Sequence, residues 1–255
     1  MIRENVYGHS KRLKWIQSHT LKQDSIIEIG CGTGYMITFQ LAKEGYNIRG
    51  YDVDEKSIEH GKVFFKEEGL NNEFLFAKDI STIQTKADVI IASEVLEHLP
   101  DAKLNTVLIN IRKIVKQDGQ LLITVPNGFG WFEMESFIWN KLGIGRFLEW
   151  FKITTFSYHI KKFFLGDKIK HPPHPATLSE SPHVQRFTLA AIQNTLKASG
   201  FIISEVTGSV IFAGPFTNLI FHGVDSFLNF NCKLGTLFPS LASGFFITCK
   251  TSETQ

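Results

Sequence analysis

Residues Ser25 to Gly34 form an apolar strand that runs directly into glycines at 30, 32 and 34. Glycines at alternate positions after a strand mark backbone that takes positive φ or approaches a ligand closely. A helical pattern over 35–44 closes at Gly45, so the turn lies at a helix N-terminus. Free N–H groups and the positive end of the helix dipole favour a polar ligand there. The stretch predicts a strand–turn–helix unit that holds a nucleotide-like cofactor, and with it an α/β sheet.

Spacing narrows the ligand. Dinucleotide-binding turns read GxGxxG, which would need a glycine at 35, where the chain has Tyr35. A second short strand ends at Asp52, 22 positions after Gly30. A carboxylate there can accept both ribose hydroxyl protons of a nucleoside. The plainer role is a turn residue ahead of a helix whose N-cap is Asp54.

Strand and helix patterns alternate onward. Strands are expected near 25–29, 47–52, 73–77, 87–93 and 120–125, and helices near 35–44, 55–68 and 102–117, with Gly69 and Gly119 as stops. Such alternation predicts a doubly wound, mostly parallel sheet with helices on both faces. A helix over 188–199, a stop at Gly200 and strands near 201–206 and 243–250 bring the expected total to seven strands. Residues 1–23 read as a helical lead-in whose Tyr7, Leu13, Trp15 and Ile16 pack on the core or close over the cofactor. With 255 residues, 43% of them hydrophobic, the chain is expected to form one domain, 1–255, around a core at 24–127.

These landmarks together resemble a class I methyltransferase that uses S-adenosylmethionine (SAM). They are Glu28-Ile29-Gly30-Cys31-Gly32-Thr33-Gly34, Asp52, Ala77-Lys78-Asp79-Ile80, the run Ala87 to Leu99 with Ser93-Glu94-Val95-Leu96-Glu97-His98, and Gly119 to Asn127. The resemblance covers 24–127 well and 183–207 more loosely. It implies that Gly30, Gly32 and Gly34 pack under the methionine part of SAM. By the same resemblance, Asp52 holds the ribose, Val53 flanks the adenine, and Asp79 accepts from the adenine amino group with Ile80 beside it. Glu28, Ser93 and Glu94 complete the implied cofactor set. The ExxEH spacing of Glu94, Glu97 and His98 resembles that of ubiquinone-pathway O-methyltransferases and of small-RNA 2′-O-methyltransferases. Both imply a divalent cation, Mg²⁺ or Mn²⁺, and the second implies a further histidine, for which His183 is placed comparably. Without a cation, Glu94 and Glu97 are structural or touch SAM, and His98 or His183 is the candidate general base. His9, His19, His60 and His222 have no partner visible in the sequence.

Two stretches, 128–182 and 208–242, exceed the family pattern and are expected to form a substrate cap. Between Phe137 and His171, Lys141, Arg146, Lys152, Lys161, Lys162, Lys168 and Lys170 face only Glu149 and Asp167, a local charge of +5. His171 to Pro175 reads as a stiff extended segment. The second stretch is nearly uncharged and rich in phenylalanine; its glycines, Pro215, Asn218 and His222 argue against a membrane span and for a pair of cap helices. Such composition favours transfer of a methyl group to an oxygen of a small, apolar or lipid-linked acceptor, with peripheral contact at a membrane surface. RNA 2′-O-methylation and a non-catalytic SAM-binding partner subunit are the alternatives. The overall charge of +2 disfavours a nucleic acid partner. Cys31, Cys232 and Cys249 lack metal-site spacing, and the N-terminal sequence lacks a signal-peptide pattern, which together suggest a cytoplasmic chain.

Overall fold

Strand segments whose apolar residues run on without alternation demand cover on both faces, and the chain supplies it. In the computed structural model, which describes residues 4–169, 174–178 and 182–251, the order is α1 (His9–Ser18), β1 (Ile26–Ile29), α2 (Thr38–Lys43), β2 (Ile48–Asp52), α3 (Glu55–Glu67), β3 (Leu75–Ala77), β4 (Ala87–Ser93), α4 (Asp101–Ile114) and β5 (Val115–Pro126). There follow α5 (Trp131–Ser136), α6 (Ile144–Trp150), α7 (Ile153–Leu165), α8 (Leu189–Ala198), β6 (Phe201–Gly208), α9 (Pro215–Phe221), α10 (Asp225–Leu237) and β7 (Gly244–Thr251). The seven strands lie in the order β3-β2-β1-β4-β5-β7-β6, and β7 alone runs antiparallel to its neighbours. The expected seven-stranded, mostly parallel, doubly wound sheet is present. The chain leaves β1 outward through β2 and β3, then returns to β4 on the other side. The β1/β4 boundary is therefore a topological switch point, where open α/β sheets bind their ligands beyond the strand C-termini.

On one face α4 and α8 bury Leu104, Leu108, Ile111, Ile192 and Leu196 against Ile90, Ile123 and Phe245. On the other, α1 and α2 bury Leu13, Trp15, Ile16 and Leu41 against Ile26, Ile91 and Phe246. Ile90 and Ile91 are sealed on opposite faces of one strand, each burial stabilising by about 1.5–3 kcal/mol. The lead-in thus packs on the core through Leu13, Trp15 and Ile16, whereas Tyr7 stays at the surface.

Several boundaries differ from the sequence reading. The helix expected from 35 begins at Thr38, because the buried Glu28 carboxylate takes both the Thr38 N–H (3.0 Å) and its hydroxyl. The third strand starts at Leu75, after a 3-10 turn that Asn71 caps by accepting from Glu73 N. Helix α4 stops at Ile114 rather than 117, since Val115 already pairs with Ala87 in the sheet. Gly119 is no helix stop: it lies inside β5, where a Cβ would press on the Asp88 carbonyl oxygen at 2.8 Å. Gly45, Gly69 and Gly200 do follow their helices at positive φ.

The two stretches beyond the family pattern pack on each other. Glu135 of α5 is buried and accepts from Trp131 Nε1 (2.5 Å) and from the N–H (2.9 Å) and hydroxyl of Thr217 in α9. Lys11 Nζ ties α1 to the cap by donating to the carbonyls of Gly208, Ser209 and Cys232 at 2.6–2.7 Å. Lys170, His171 to Pro173 and Ser181 lie outside the described residues, as does the side chain of Asp167.

Candidate active site

Gly30, Gly32 and Gly34 have φ of 68°, 56° and 74°, so all three occupy the left-handed region that β-carbon-bearing residues avoid. Their missing side chains serve different neighbours. A Cβ at Gly30 would strike Val95, and one at Gly34 would strike Leu75. These two glycines answer to the protein's own packing. At Gly32 the obstacle is the Ala176 carbonyl of an extended strap, 174–178, that rests on the turn. The strap accepts from Thr33 N at Ala176 O (2.9 Å) and from Thr33 Oγ1 at Pro175 O (2.7 Å), and Leu178 N donates to Ser57 Oγ (2.8 Å). His174 stacks against Phe64 with ring centroids 3.9 Å apart.

Asp52 stands at the tip of β2, where its Oδ2 accepts from Gly32 N (2.7 Å) and its Oδ1 from Asp54 N (2.9 Å). Both oxygens retain further lone pairs. Asp54 caps α3 by accepting from Lys56 N, as its sequence position suggested. Val53 is exposed beside Asp52. Asp79 caps the next turn through Ser81 N and Ser81 Oγ, both on Oδ1, and these bonds hold its pKa below the usual value. Ile80 is buried with the core. Glu28 lies under the turn with its carboxyl pushed up to about 7 by burial, and it braces the start of α2.

The end of β4 gathers carboxylates, hydroxyls and imidazoles. Ser93 and Thr124 share a hydroxyl–hydroxyl bond of 2.9 Å, and Thr124 Oγ1 donates to Glu94 Oε1 at 2.8 Å. Glu94 itself has φ of 56°, a strained conformation for a non-glycine residue that costs about 1–2 kcal/mol. Strain of this kind persists where surrounding bonds hold it, commonly at functional sites. Arg12 of α1, itself mostly buried, lies 3.4 Å from Glu94 Oε1.

One turn on, Glu97 is 0% exposed, and neither of its carboxylate oxygens finds a hydrogen-bond partner among the described residues. Its nearest cationic candidate, His98 Nε2, is 3.8 Å away. Burial, reinforced by the charge of Glu94, raises the Glu97 pKa to about 9. The Glu97 carbonyl accepts from Val184 N and Gln185 N (both 2.9 Å), which brings the 182–187 segment back across the strand end. His183 therefore meets His98, ring centroids 4.8 Å apart, while Pro182 O lies 3.2 Å from His98 Nδ1. Burial, then the neighbouring His98, lowers the His183 pKa. Ligand atoms of Glu97, His98 and His183 all lie within 4.8 Å of one another. Of the four residues the ExxEH comparison implied, the structure gathers three; Glu94 is not in that group because Thr124 and Arg12 engage it.

A cavity of about 190 Å³ opens beside this cluster, lined in part by Tyr7, His9, Arg12, Glu94, Phe132 and His183. A second, of about 280 Å³, lies farther into the cap between α7 and α9, and Tyr7 lines both. Sequence reasoning missed Arg12 and His9 as site residues. Only their helical spacing from Tyr7 and Leu13 hinted at them. Burial pushes the His9 pKa down to about 3, so it faces the cavity uncharged. His19, also unassigned from sequence, bonds the Trp15 carbonyl (2.8 Å) and Glu205 (3.1 Å), far from the site.

The methyltransferase-domain family profile matches residues 10–206, and the chain belongs to that family. Among curated relatives, the ubiquinone biosynthesis O-methyltransferase of Coxiella burnetii is 32% identical over 120 residues, 46% of this chain and 50% of that one. The chain thus spans about half the length of these relatives. The Erwinia tasmaniensis enzyme of the same name is 27% identical over 192 residues, covering 70% of this chain and 75% of its own. Among solved structures, magnesium protoporphyrin IX methyltransferase from Synechocystis PCC 6803, with bound S-adenosylhomocysteine, has a TM-score of 0.55 at 14% identity, covering 96% of this chain and 81% of its own. A SAM-dependent methyltransferase from Clostridium acetobutylicum has a TM-score of 0.56 at 13% identity, with 96% and 91% coverage. At these identities the two structures speak for the fold, which they share.

Proposed function

We propose that this chain transfers the methyl group of SAM to an oxygen of a small, apolar or lipid-linked acceptor. The observation that carries the reading is the juxtaposition, across the β1/β4 switch point, of the Gly30–Gly34 turn and Asp52 with the Glu97, His98 and His183 cluster and its adjoining cavity. Relatives named as ubiquinone biosynthesis O-methyltransferases support oxygen as the methyl acceptor.

Bound SAM supplies a methyl group made electrophilic by its sulfonium. Asp52, fixed by Gly32 N and Asp54 N, presents its remaining lone pairs to the ribose hydroxyls. Exposed Val53 would flank the adenine, and Asp79 would accept from its amino group. Phe132, Phe246 and Ala213 supply the apolar part of the acceptor cavity, and the chain mainly contributes alignment. Without a cation, His183, its pKa lowered by burial and by His98, has a free lone pair that can accept the acceptor's hydroxyl proton. His98 abuts it edge-on, ring centroids 4.8 Å apart.

The donor set fits a divalent cation, because a buried carboxylate with no hydrogen-bond partner among the described residues, set beside two imidazoles, is otherwise costly. Glu97, His98 and His183 would hold the cation, which would lower the acceptor hydroxyl's pKa. Two imidazoles suit Mn²⁺ better than Mg²⁺.

The test is transfer of labelled methyl from SAM to phenolic acceptors with and without an apolar tail, in EDTA and in Mn²⁺. Labelling of the tailed phenols supports the reading. Labelling of nitrogen acceptors alone, or of none, contradicts it.

A further inference from the structure

Helix α7 is built inside out. Its half-buried positions are Thr154, Ser157, Lys161 and Leu165, a helical spacing of three, four and four, and three of these four are polar. Ser157 Oγ donates to Leu219 O (3.0 Å) and Lys161 Nζ to Asn218 O (2.9 Å), so the polar face is what fastens α7 to α9. The apolar residues point the other way. Phe163, Phe164 and Phe156 are 83%, 77% and 67% exposed, with Ile153 and Ile160 on the same side, and no residue of α7 is fully buried. Trp150 and Phe151, which end α6 and begin the link to α7, are exposed as well. A surface helix of a water-bathed protein turns its apolar stripe inward. The reverse arrangement leaves many aromatic side chains of α6 and α7 exposed, which asks for a partner.

Charge selects the partner. Lys141, Arg146, Lys152 and Lys162 are exposed in the same stretch of chain, with Glu149 the acid among them, while Lys168 is already paired with Asp225. Exposed aromatic side chains mixed with cations match the boundary of an anionic bilayer, where rings sit among the headgroups and lysines reach phosphates. A protein partner of ordinary composition offers no such requirement for cations around the whole patch. Among the described residues no helix is long and apolar enough to cross a membrane, so α7 would lie in the plane of the surface. The cavity beneath α7 shares Tyr7 with the cavity beside His183, and docking through this face sets that cavity on the lipid side.

We infer that the outward face of α6 and α7 docks the protein on anionic phospholipid membranes. The test is co-sedimentation with phosphatidylcholine vesicles, with and without phosphatidylglycerol. It compares the wild-type chain, the triple variant Phe156→Ser/Phe163→Ser/Phe164→Ser, and the charge variant Arg146→Gln/Lys152→Gln/Lys162→Gln. All the changed side chains are exposed, and near-UV circular dichroism together with SAM binding checks that each variant stays folded. The wild type should partition onto the phosphatidylglycerol vesicles, the aromatic variant at least roughly tenfold less, and the charge variant should lose the preference for the anionic lipid. Equal partitioning of wild type and aromatic variant would overturn the inference. So would a lack of vesicle binding, including the case where the aromatic variant abolishes a dimer in solution, which would assign the face to a second copy of the chain.

Discussion

Replacing Glu97 by glutamine tests whether this carboxyl is held protonated inside the fold. The side chain is sealed from solvent and has no hydrogen-bond partner among the described residues, and its pKa is raised from 4.5 to about 9 by burial and by Glu94. The folded chain then keeps a proton that the unfolded chain has already released. A group with a raised folded pKa contributes stability that is complete below the unfolded value and is lost as pH rises through the folded one. For Glu97 that window runs from 4.5 to about 9. One proton changes the unfolding free energy by about 1.4 kcal/mol per pH unit, so the loss from pH 7 to 9 is on the order of 2–3 kcal/mol. Of the other groups whose shift is large enough to carry a value, none has its window centred between pH 7 and 9. Glu28, raised to about 7, loses its contribution as pH rises from 4.5 to about 7, and His9, lowered to about 3, acts in the opposite sense, losing its contribution as pH falls below its ordinary value of 6.5. Cys232 and Cys249, raised to about 12, matter only at higher pH. Glutamine keeps the shape and cannot titrate, so its own cost is constant across the window. Urea unfolding between pH 7 and 9 in EDTA should show the wild type losing stability and Glu97→Gln holding level. Parallel slopes in the two proteins would refute the reasoning. Saturating Mn²⁺ should flatten the wild-type slope, because the bound form of Glu97 is already ionised.

Three further substitutions probe the rest of the site. Gly32→Val places a side chain at φ of 56° against the Ala176 carbonyl; SAM binding measured by calorimetry should disappear, while retained binding would remove Gly32 from the cofactor cradle. His183→Ala should lower kcat about 100-fold or more with little change in SAM affinity, read in the labelled-methyl assay; an undiminished kcat would exclude it as the base. Arg12→Met removes the partner of Glu94 at 3.4 Å, and kcat/KM should fall about tenfold with the melting temperature changed by only a few degrees; full activity would make Arg12 merely structural.

The sheet and the glycine turn were legible because their signals are local. Strand, alternate glycines and helix follow one another within 25–45, and Asp52 ends the neighbouring strand. Boundaries set by distant pairing were not. Nothing near residue 115 announces that Val115 will bond to Ala87, and Gly119 reads as a helix stop until Asp88 is seen against it. In the site, His98 and His183 are adjacent only because the Glu97 carbonyl captures the amides of 184 and 185. The family spacing pointed to that pairing, whereas composition alone could not. Arg12 lay hidden in a lead-in with no spacing rule. The orientation of α7 was equally hidden, since an amphipathic pattern does not say which face a helix turns inward until carbonyls such as those of Asn218 and Leu219 claim Ser157 and Lys161.

The central claim is that the turn at Gly30–Gly34 and the carboxylate of Asp52 form a SAM site. Calorimetric titration of SAM into the wild-type protein and into Asp52→Ala tests it most directly. The account predicts saturable binding by the wild type and, in the variant, an affinity lower by roughly 10- to 100-fold, the value of one or two charge-assisted hydrogen bonds to ribose. Undetectable binding by the wild type, or the same affinity in both proteins, would contradict it.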